Sequence, residues 1–321
     1  DINQVAGKCL NNMTKLYNHL MEAVIENDVQ LYLAEPLLSE AGFYMQRLEN
    51  LQQLWFLYDK TDSEKAAPLA RWVEKIEGKR QDFLLSASPI EVGFTLEDML
   101  WSQCEGAILC SATLTALKSF QHFRMQAGLK DNDGSQYLQV ESPFNYQENS
   151  LLHLPLMKSQ PTEDKFTNDI ATKLTEIIDK KEATLVLFSS YWQMEKVADL
   201  LRKKKWRIKV QGETSRQYII DQHKKLVDTK KGSLIFGTQS FSEGLDLPGE
   251  YLTHVIITKL PFAVPTSPVE EAQSEYVVAK GGNPFLTITV PDAAKKLVQS
   301  CGRLLRSEND KGKISILDRR L

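Results

Sequence analysis

The chain has 321 residues, of which 42% are hydrophobic and 25% are charged, and its formal net charge at pH 7 is −3. This balance is typical of folded globular proteins, and the length predicts more than one domain. The negative net charge excludes a protein-wide basic field, so any surface for nucleic acid has to be local.

No apolar run approaches the roughly 18 residues that a membrane-spanning helix needs, and the first residues lack the pattern of a secretory signal. We therefore expect a cytoplasmic protein without membrane contact. The spacing of the cysteines matches no zinc or iron–sulfur pattern, which predicts free, mostly buried thiols and no metal site. The cysteines are Cys9, Cys104, Cys110 and Cys301.

Residues 1–85 carry apolar side chains at helical intervals and contain no convincing strand run. They predict an all-helical region. The neighbouring Trp55 and Phe56 could form a stacking platform for nucleic acid, but aromatic residues at helical spacing are more often core residues. We predict that both pack in the core.

The pattern changes from residue 86 onward. The apolar run 107–110 predicts a buried strand that ends at Ser111 and Thr113. Ligand sites in open α/β sheets lie at the carboxyl ends of strands, so the two hydroxyls are placed for a ligand. The alternative is a Ser/Thr turn that caps the next helix. Proline, asparagine and serine residues over 141–150 predict a linker.

Strands and helices alternate beyond this linker, which predicts a parallel sheet covered on both faces. A proline-rich loop and a helix that includes residues 299–306 precede the last strand. The predicted strands are 184–188, 207–210, 233–237, 254–262 and 313–318.

The helix predicted around residues 299–306 has one polar side, which carries Gln299, Gly302, Arg303 and Arg306 at about 100° per residue. Glycine inside a helix costs roughly 1 kcal/mol relative to alanine, so Gly302 indicates close approach of a backbone or a ligand. The two guanidinium groups indicate an anion. The opposite, packed side consists of Leu297, Val298, Cys301, Leu304 and Leu305.

Two other predicted strands lead into polar loops. Ser189 and Ser190 precede a helix, where hydroxyls and free amide groups suit a phosphate, although capping alone explains either serine. The loop 236–249 combines hydroxyls with carboxylates and also contains Gly237 and Gly244. Contacts to sugar, magnesium or phosphodiester groups and an ordinary polar surface loop are both open interpretations.

The order of these segments resembles motifs III to VI of superfamily 2 helicases. The matching sequences are SAT at 111–113, the serines at 189–190, TQSFSEGLDLPG at 238–249 and QSCGRLLR at 299–306. Three further sequences resemble the DinG branch of the XPD-like iron–sulfur helicases, and the resemblance is strong from about residue 90. They are SPFNY at 142–146, KLPF at 259–262 and LDRRL at 317–321.

The resemblance implies a 5′-to-3′ ATP-dependent DNA helicase with RecA-like lobes. Residues 1–85 would be a helical arch-like insertion, residues 86–150 the remainder of the first lobe and a linker, and residues 151–321 the second lobe. The implied partners are ATP and single-stranded DNA or an RNA–DNA hybrid, and the implied state is a monomer.

The resemblance also implies a role for each matching residue. Arg306 would be the arginine finger, Arg303 would face the nucleotide, and Gln299 would set the helix position. The remaining roles fall into three groups. Glu243, Gly244, Asp246 and Gly302 would lie at the nucleotide; Ser189, Ser190, Thr238 and Gln239 would contact DNA; Ser111 and Thr113 would couple hydrolysis to lobe movement.

No G-x-x-x-x-G-K-[ST] sequence and no D-E-x-H run occur in the chain. We therefore expect a C-terminal fragment that does not hydrolyse ATP alone, with ATP and Mg²⁺ bound by the intact protein and an iron–sulfur cluster only upstream. The alternative is a complete, non-enzymatic nucleic-acid-binding or regulatory protein with a degenerate helicase lobe. A small-molecule α/β enzyme would need a glycine-rich phosphate loop, which is absent.

Overall fold

A computed structural model describes residues 2–26, 29–63, 67–78 and 81–321. The chain forms two compact units, Asp1–Gln103 with Pro265–Pro284, and Cys104–Val264 with Phe285–Leu321. The limits at residues 85 and 150 do not separate these units, and the three-part division stays a prediction. Within the described ranges, every helix is too short or too polar to cross a bilayer.

The helices and strands are numbered in chain order. The helices are α1 (Ile2–Ile25), α2 (Leu31–Asp59), α3 (Gly93–Met99), α4 (Gln121–Ala127), α5 (Tyr146–Asn149), α6 (Phe166–Ile177), α7 (Tyr191–Lys203), α8 (Arg216–Asp228), α9 (Gln239–Ser242), α10 (Pro268–Ala279) and α11 (Val290–Cys301). The strands are β1 (Leu69–Ile76), β2 (Asp82–Pro89), β3 (Ser150–His153), β4 (Ala183–Phe188), β5 (Lys209–Val210), β6 (Ser233–Thr238), β7 (His254–Ile257) and β8 (Gly312–Ile316).

The first unit contains the helical pair α1 and α2 and an antiparallel pair of strands, β1 and β2. The all-helical prediction for residues 1–85 is therefore wrong in its last part. The strands are fixed by a contact distant in sequence: the Tyr58 hydroxyl on α2 donates to the carbonyls of Trp72 (2.8 Å) and Ser86 (3.1 Å). Helical periodicity in α2 carries no information about this contact.

The aromatic pair on α2 differs from the core prediction. Phe56 is 57% exposed, so the prediction is wrong for this residue. Trp55 is half-buried, and its ring centroid lies 6.0 Å from that of Tyr58.

The second unit is built on six parallel strands in the order β3-β8-β7-β4-β6-β5. The predicted α/β class with a RecA-like parallel sheet is confirmed. All six residues of β4 and all six of β6 are buried. Strands buried on both faces carry apolar residues almost continuously, which is why their sequences predicted them closely.

Alternate residues of β4 serve two different cores, one on each face of the sheet. Val186 and Phe188 pack with residues of α6 and α7. Leu185 and Leu187 pack with α8, the loop after β6 and the segment after α11. Helices therefore cover both faces, as the alternation of elements predicted.

The proline-rich loop predicted before the last helix is wrong over Pro268–Ala279, which forms α10. The Ser267 hydroxyl accepts from the Glu270 amide (3.2 Å), and the Glu270 carboxylate accepts from the Ser267 amide (3.1 Å). This capping box, with Pro268 in the first turn, is a helix start signal that the sequence contains. Strand β3 and helix α6 were not predicted either.

The buried strand predicted over 107–110 is also wrong. Ile108 is 97% exposed, and no described segment pairs with these residues. An apolar run becomes a strand only when a neighbouring strand supplies hydrogen bonds.

The four cysteines are free, as predicted, but they are not mostly buried. Cys9, Cys104 and Cys110 are exposed. Cys301 is half-buried, and burial raises the pKa of its thiol to about 11.

Candidate functional site

Several polar residues meet at the carboxyl edge of the sheet, where β4, β5 and β6 end. The residues directly after these strands include Ser189, Gln211 and Gln239. The structure therefore brings the two predicted DNA-binding segments, 189–190 and 238–239, to one edge of the same sheet.

Gln211 connects these segments through both ends of its side-chain amide. Its oxygen accepts hydrogen bonds from the backbone amide (2.8 Å) and the hydroxyl (3.0 Å) of Thr238. Its nitrogen donates to the Tyr191 hydroxyl (2.6 Å) and to Ser240 Oγ (3.4 Å). Sequence reasoning missed Gln211; the only signal is its place after a predicted strand.

The predicted DNA-binding residues differ in what their side chains are free to do. Thr238 is buried and bonded to Gln211, and the Gln239 side chain accepts from Ser300 Oγ (2.8 Å). Ser190 is exposed and caps α7, accepting from the Gln193 amide (3.3 Å). The capping interpretation is thus correct for Ser190, and the exposed Ser189 is open to a ligand.

Three arginines lie close together near the loop after β6. Arg306 donates to the Leu245 carbonyl (2.7 Å), and its Nε lies 3.9 Å from Asp246 Oδ1. Arg216, the first residue of α8, donates to the Glu243 carbonyl. Sequence reasoning missed Arg216, which lies in none of the matched motifs.

Arg303 is the third member of this arginine cluster, which consists of Arg216, Arg303 and Arg306. Its Nε is buried and has no hydrogen-bond partner among the described residues. Burial lowers the pKa of Arg303, the charges of Arg306 and Arg216 lower it further, and Glu243 opposes them. The cluster therefore has an unfilled donor and an excess of positive charge, a combination that suits an anion.

The helix that was predicted to carry these arginines ends earlier, at Cys301. Gly302, Arg303 and Arg306 follow the helix, so the stripe on one helical face is wrong. Gly302 has ordinary right-handed angles (φ −64°), and no other element approaches it closely. The packed side is correct for Leu304 and Leu305, which are buried, and wrong for Val298, which is 62% exposed.

A carboxylate shapes the segment after α11. Asp310 accepts from the amides of Arg306 (2.7 Å) and Ser307 (2.9 Å) and from the Ser307 hydroxyl (2.6 Å). Burial alone would raise the pKa of Asp310, but these hydrogen bonds hold it below its ordinary value. With Leu304 and Leu305 in the core, the segment that carries the arginines is held at both ends.

The predicted coupling residues form a local turn. Ser111 Oγ accepts from the Thr113 amide (3.2 Å); Ser111 is exposed and Thr113 is half-buried. The turn interpretation is correct, although no helix begins there. Thr113 Oγ1 also accepts from Gln299 Nε2 (3.4 Å), which links the turn to α11.

Gly244, which was predicted to lie at the nucleotide, is required by the backbone conformation of the loop after β6. Gly244 has a φ of +65°, in the left-handed region that favours glycine. The flanking carboxylates of Glu243 and Asp246 are exposed. Among the described residues, no group of three or more His, Cys, Asp or Glu side chains is placed to hold a metal ion.

Residues 173–321 match the family described as Helicase C-terminal domain. A curated protein of Photobacterium profundum, named ATP-dependent DNA helicase DinG, is 49% identical over 98% of this chain and 46% of its own length. The protein of that name from Salmonella typhimurium is 33% identical over 85% of this chain and 39% of its length. The chain is a homologue of these proteins named DinG.

This DinG homologue spans less than half the length of the curated relatives that it matches. Two solved structures share its fold. One, named XPD_Helicase, has a TM-score of 0.54 and 20% identity over 74% of this chain and 43% of its own. Another, named XPD_APO, has a TM-score of 0.52 and 19% identity over 75% and 50%.

Proposed function

We propose that the chain is the C-terminal part of an ATP-dependent helicase that moves 5′ to 3′ along single-stranded DNA. The observation that carries this proposal is the buried, unpartnered Nε of Arg303 beside two further guanidinium groups. Like charges this close disfavour one another unless an anion joins them. The terminal phosphate of a nucleotide is such an anion.

In this proposal Arg306 is the arginine finger and Arg303 faces the nucleotide. A guanidinium offers planar, permanently charged donors to phosphate oxygens, and such fingers contribute about 10³ to 10⁵ in rate. The hydrogen bond from Arg306 to the Leu245 carbonyl holds its side chain beside the loop 243–246. A change of the bound nucleotide would then move this loop and, with it, the residues at the carboxyl edge of the sheet.

The carboxyl edge would bind the backbone of the DNA. Ser189 and the first amides of α7 are donors suited to phosphates, and such contacts carry no sequence preference. Because the Thr238 hydroxyl is bonded to Gln211, we assign Thr238 to positioning of the loop. Gln239 would likewise fix α11 through Ser300.

Mg²⁺, the remaining phosphate ligands and any iron–sulfur cluster are assigned to the part of the protein outside this chain. ATP, bound and hydrolysed by the whole protein, would supply the free energy for strand separation. The proposal includes action on single-stranded DNA or an RNA–DNA hybrid, a monomeric state and a cytoplasmic location. The chain alone is proposed not to hydrolyse ATP.

The test measures ATP turnover, with and without single-stranded DNA, by this chain joined to the upstream part of its relatives. In Arg306→Ala we expect DNA-stimulated turnover to fall by about 10³-fold or more. The matched control is Arg319→Ala, which removes an equal charge from an exposed site and should leave turnover unchanged.

Turnover that survives Arg306→Ala would contradict the role of the arginine cluster. No DNA-stimulated turnover in the native protein, combined with DNA binding, would favour the alternative of a non-enzymatic nucleic-acid-binding protein.

A further inference from the structure

A separate cleft lies at the amino edge of the sheet, where β4, β5 and β6 begin. Its volume is about 240 Å³. Six residues of β4 span about 20 Å, so this amino-edge cleft is well separated from the polar groups at the carboxyl edge.

The amino-edge cleft is strongly basic although the whole chain is acidic. Five cationic and two acidic side chains line it. None of the five cations forms an ion pair with a described residue. The cations are Lys180, Lys205, Arg207, Lys209 and Lys231.

The two acidic residues of the cleft already have partners. Glu182 contacts His254 (3.2 Å) and Lys313 (3.6 Å), both outside the cleft lining. Asp179 accepts from the Lys181 amide (2.9 Å). With five cations against two carboxylates, the cleft has a surplus of positive charge.

Lys209 lies deepest among the cations and is half-buried. Its ammonium donates to Ser233 Oγ (2.9 Å), a neutral partner. Burial lowers the pKa of Lys209, because the charged form has lost part of its hydration. An anion in the cleft would compensate this loss.

The walls of the cleft are partly apolar and tightly built. Trp206 packs against the core, with the Lys180 ammonium 5.0 Å from its ring centroid. Gly232 has a φ of +64°, and a side chain there would collide with the Lys180 carbonyl at 2.3 Å. The loops 179–182 and 230–233 are thus fixed against each other.

Helix ends explain only part of the charge. Helices α7 and α8 end beside the cleft, and lysines at a helix C-terminus stabilise its dipole, which accounts for Lys205 and Lys231. Arg207 and Lys209 lie in or just before β5, where no helix dipole requires them.

We propose that the amino-edge cleft binds the phosphodiester backbone of a nucleic-acid strand, as a second contact apart from the carboxyl edge. Four of the five cations are lysines, which bind phosphates as point charges. The indole and apolar walls suit the adjoining sugar or base. The ligand class depends on the proposed function, but the site does not depend on ATP hydrolysis.

The test uses the 321-residue chain and a fluorescently labelled 20-nucleotide dT strand, with binding followed by anisotropy at several salt concentrations. Arg207→Gln with Lys231→Gln removes two exposed charges of the cleft. Lys203→Gln with Lys204→Gln is the matched control, since it removes two exposed charges from the end of α7 outside the cleft. The logarithmic salt dependence should weaken by about 1.4 in the cleft variant, at about 0.7 per phosphate contact on a single strand, and by much less in the control.

Equal losses in both variants, or no loss in the cleft variant, would overturn the proposal. A Ser189→Asp variant separates this outcome from failure of the proposed function. If only Ser189→Asp weakens binding, the carboxyl edge binds DNA and the cleft does not; if neither variant does, both assignments fail. Competition with dTMP and with a glutamate peptide completes the test, because displacement by the peptide alone would assign the cleft to acidic proteins.

Discussion

Two short apolar segments of the second unit differ in burial and in secondary structure. SLIF at 233–236 forms the buried strand β6, whereas AILC at 107–110 is exposed and unpaired within the described chain. Strand β6 has β4 on one side and β5 on the other. Hydrophobicity makes a segment available for burial, but paired neighbours decide whether it becomes a strand.

Truncation of one isoleucine in each segment tests this difference directly. Ile235→Ala, on β6, should lower the free energy of unfolding by about 2–5 kcal/mol, because a fully buried side chain leaves a cavity. Ile108→Ala should change it by less than about 0.5 kcal/mol. Urea unfolding measures both, and a large cost at Ile108 would mean that 107–110 is packed in solution.

The buried sheet should also make stability depend on pH. Burial lowers the pKa of His254 to about 3 and that of His223 to about 4. Between pH 6.5 and these values the unfolded chain binds the protons that the folded chain excludes, so stability falls as the pH is lowered. Each histidine contributes a slope of up to about 1.4 kcal/mol per pH unit.

Unfolding measured from pH 7 to pH 4 checks this expectation. His254→Gln should reduce the slope, while His19→Gln, at an exposed position on α1, serves as the control. An unchanged slope in His254→Gln would show that this histidine is protonated in the folded protein.

A further pair of substitutions contrasts a hydrogen-bonded polar side chain at the carboxyl edge of the sheet with an exposed one. Gln211→Ala should cost about 1–3 kcal/mol, because the buried Thr238 amide and hydroxyl lose their acceptor. Gln217→Ala removes an exposed side chain and should cost less than about 0.5 kcal/mol. Thermal unfolding distinguishes the two, and equal effects would show that water replaces Gln211.

The smallest expected difference separates two adjacent serines. Ser190→Ala should cost about 1 kcal/mol, because it removes the cap of α7. Ser189→Ala should leave stability unchanged and weaken DNA binding. If Ser189→Ala destabilises the fold as much as Ser190→Ala, its assignment to ligand contact is wrong.

The elements that the sequence predicted well are those with local signals. Strands β4 and β6 were predicted within one residue at each end, because they are continuous apolar runs. Strands β1 and β2 were missed, since the Tyr58 contacts that fix them join distant residues. Periodicity also extended α11 past Cys301, because it contains no information on Asp310, which organises the following turn.

The sequence motifs predicted the residues of the candidate site that lie within a motif, and no others. The motifs identified Arg303 and Arg306 but gave the wrong secondary structure for them. Gln211 and Arg216 were missed, because their importance arises from which strands and helices lie side by side in the sheet.

The turn closed by Asp310 has a mechanical consequence. Leu304 and Leu305 anchor its start in the core, and β8 begins two residues after Asp310. A displacement of Arg306 would be transmitted to strand β8, because only a short, hydrogen-bonded turn connects the two. The segment that carries Arg306 should therefore move together with the sheet as one rigid element.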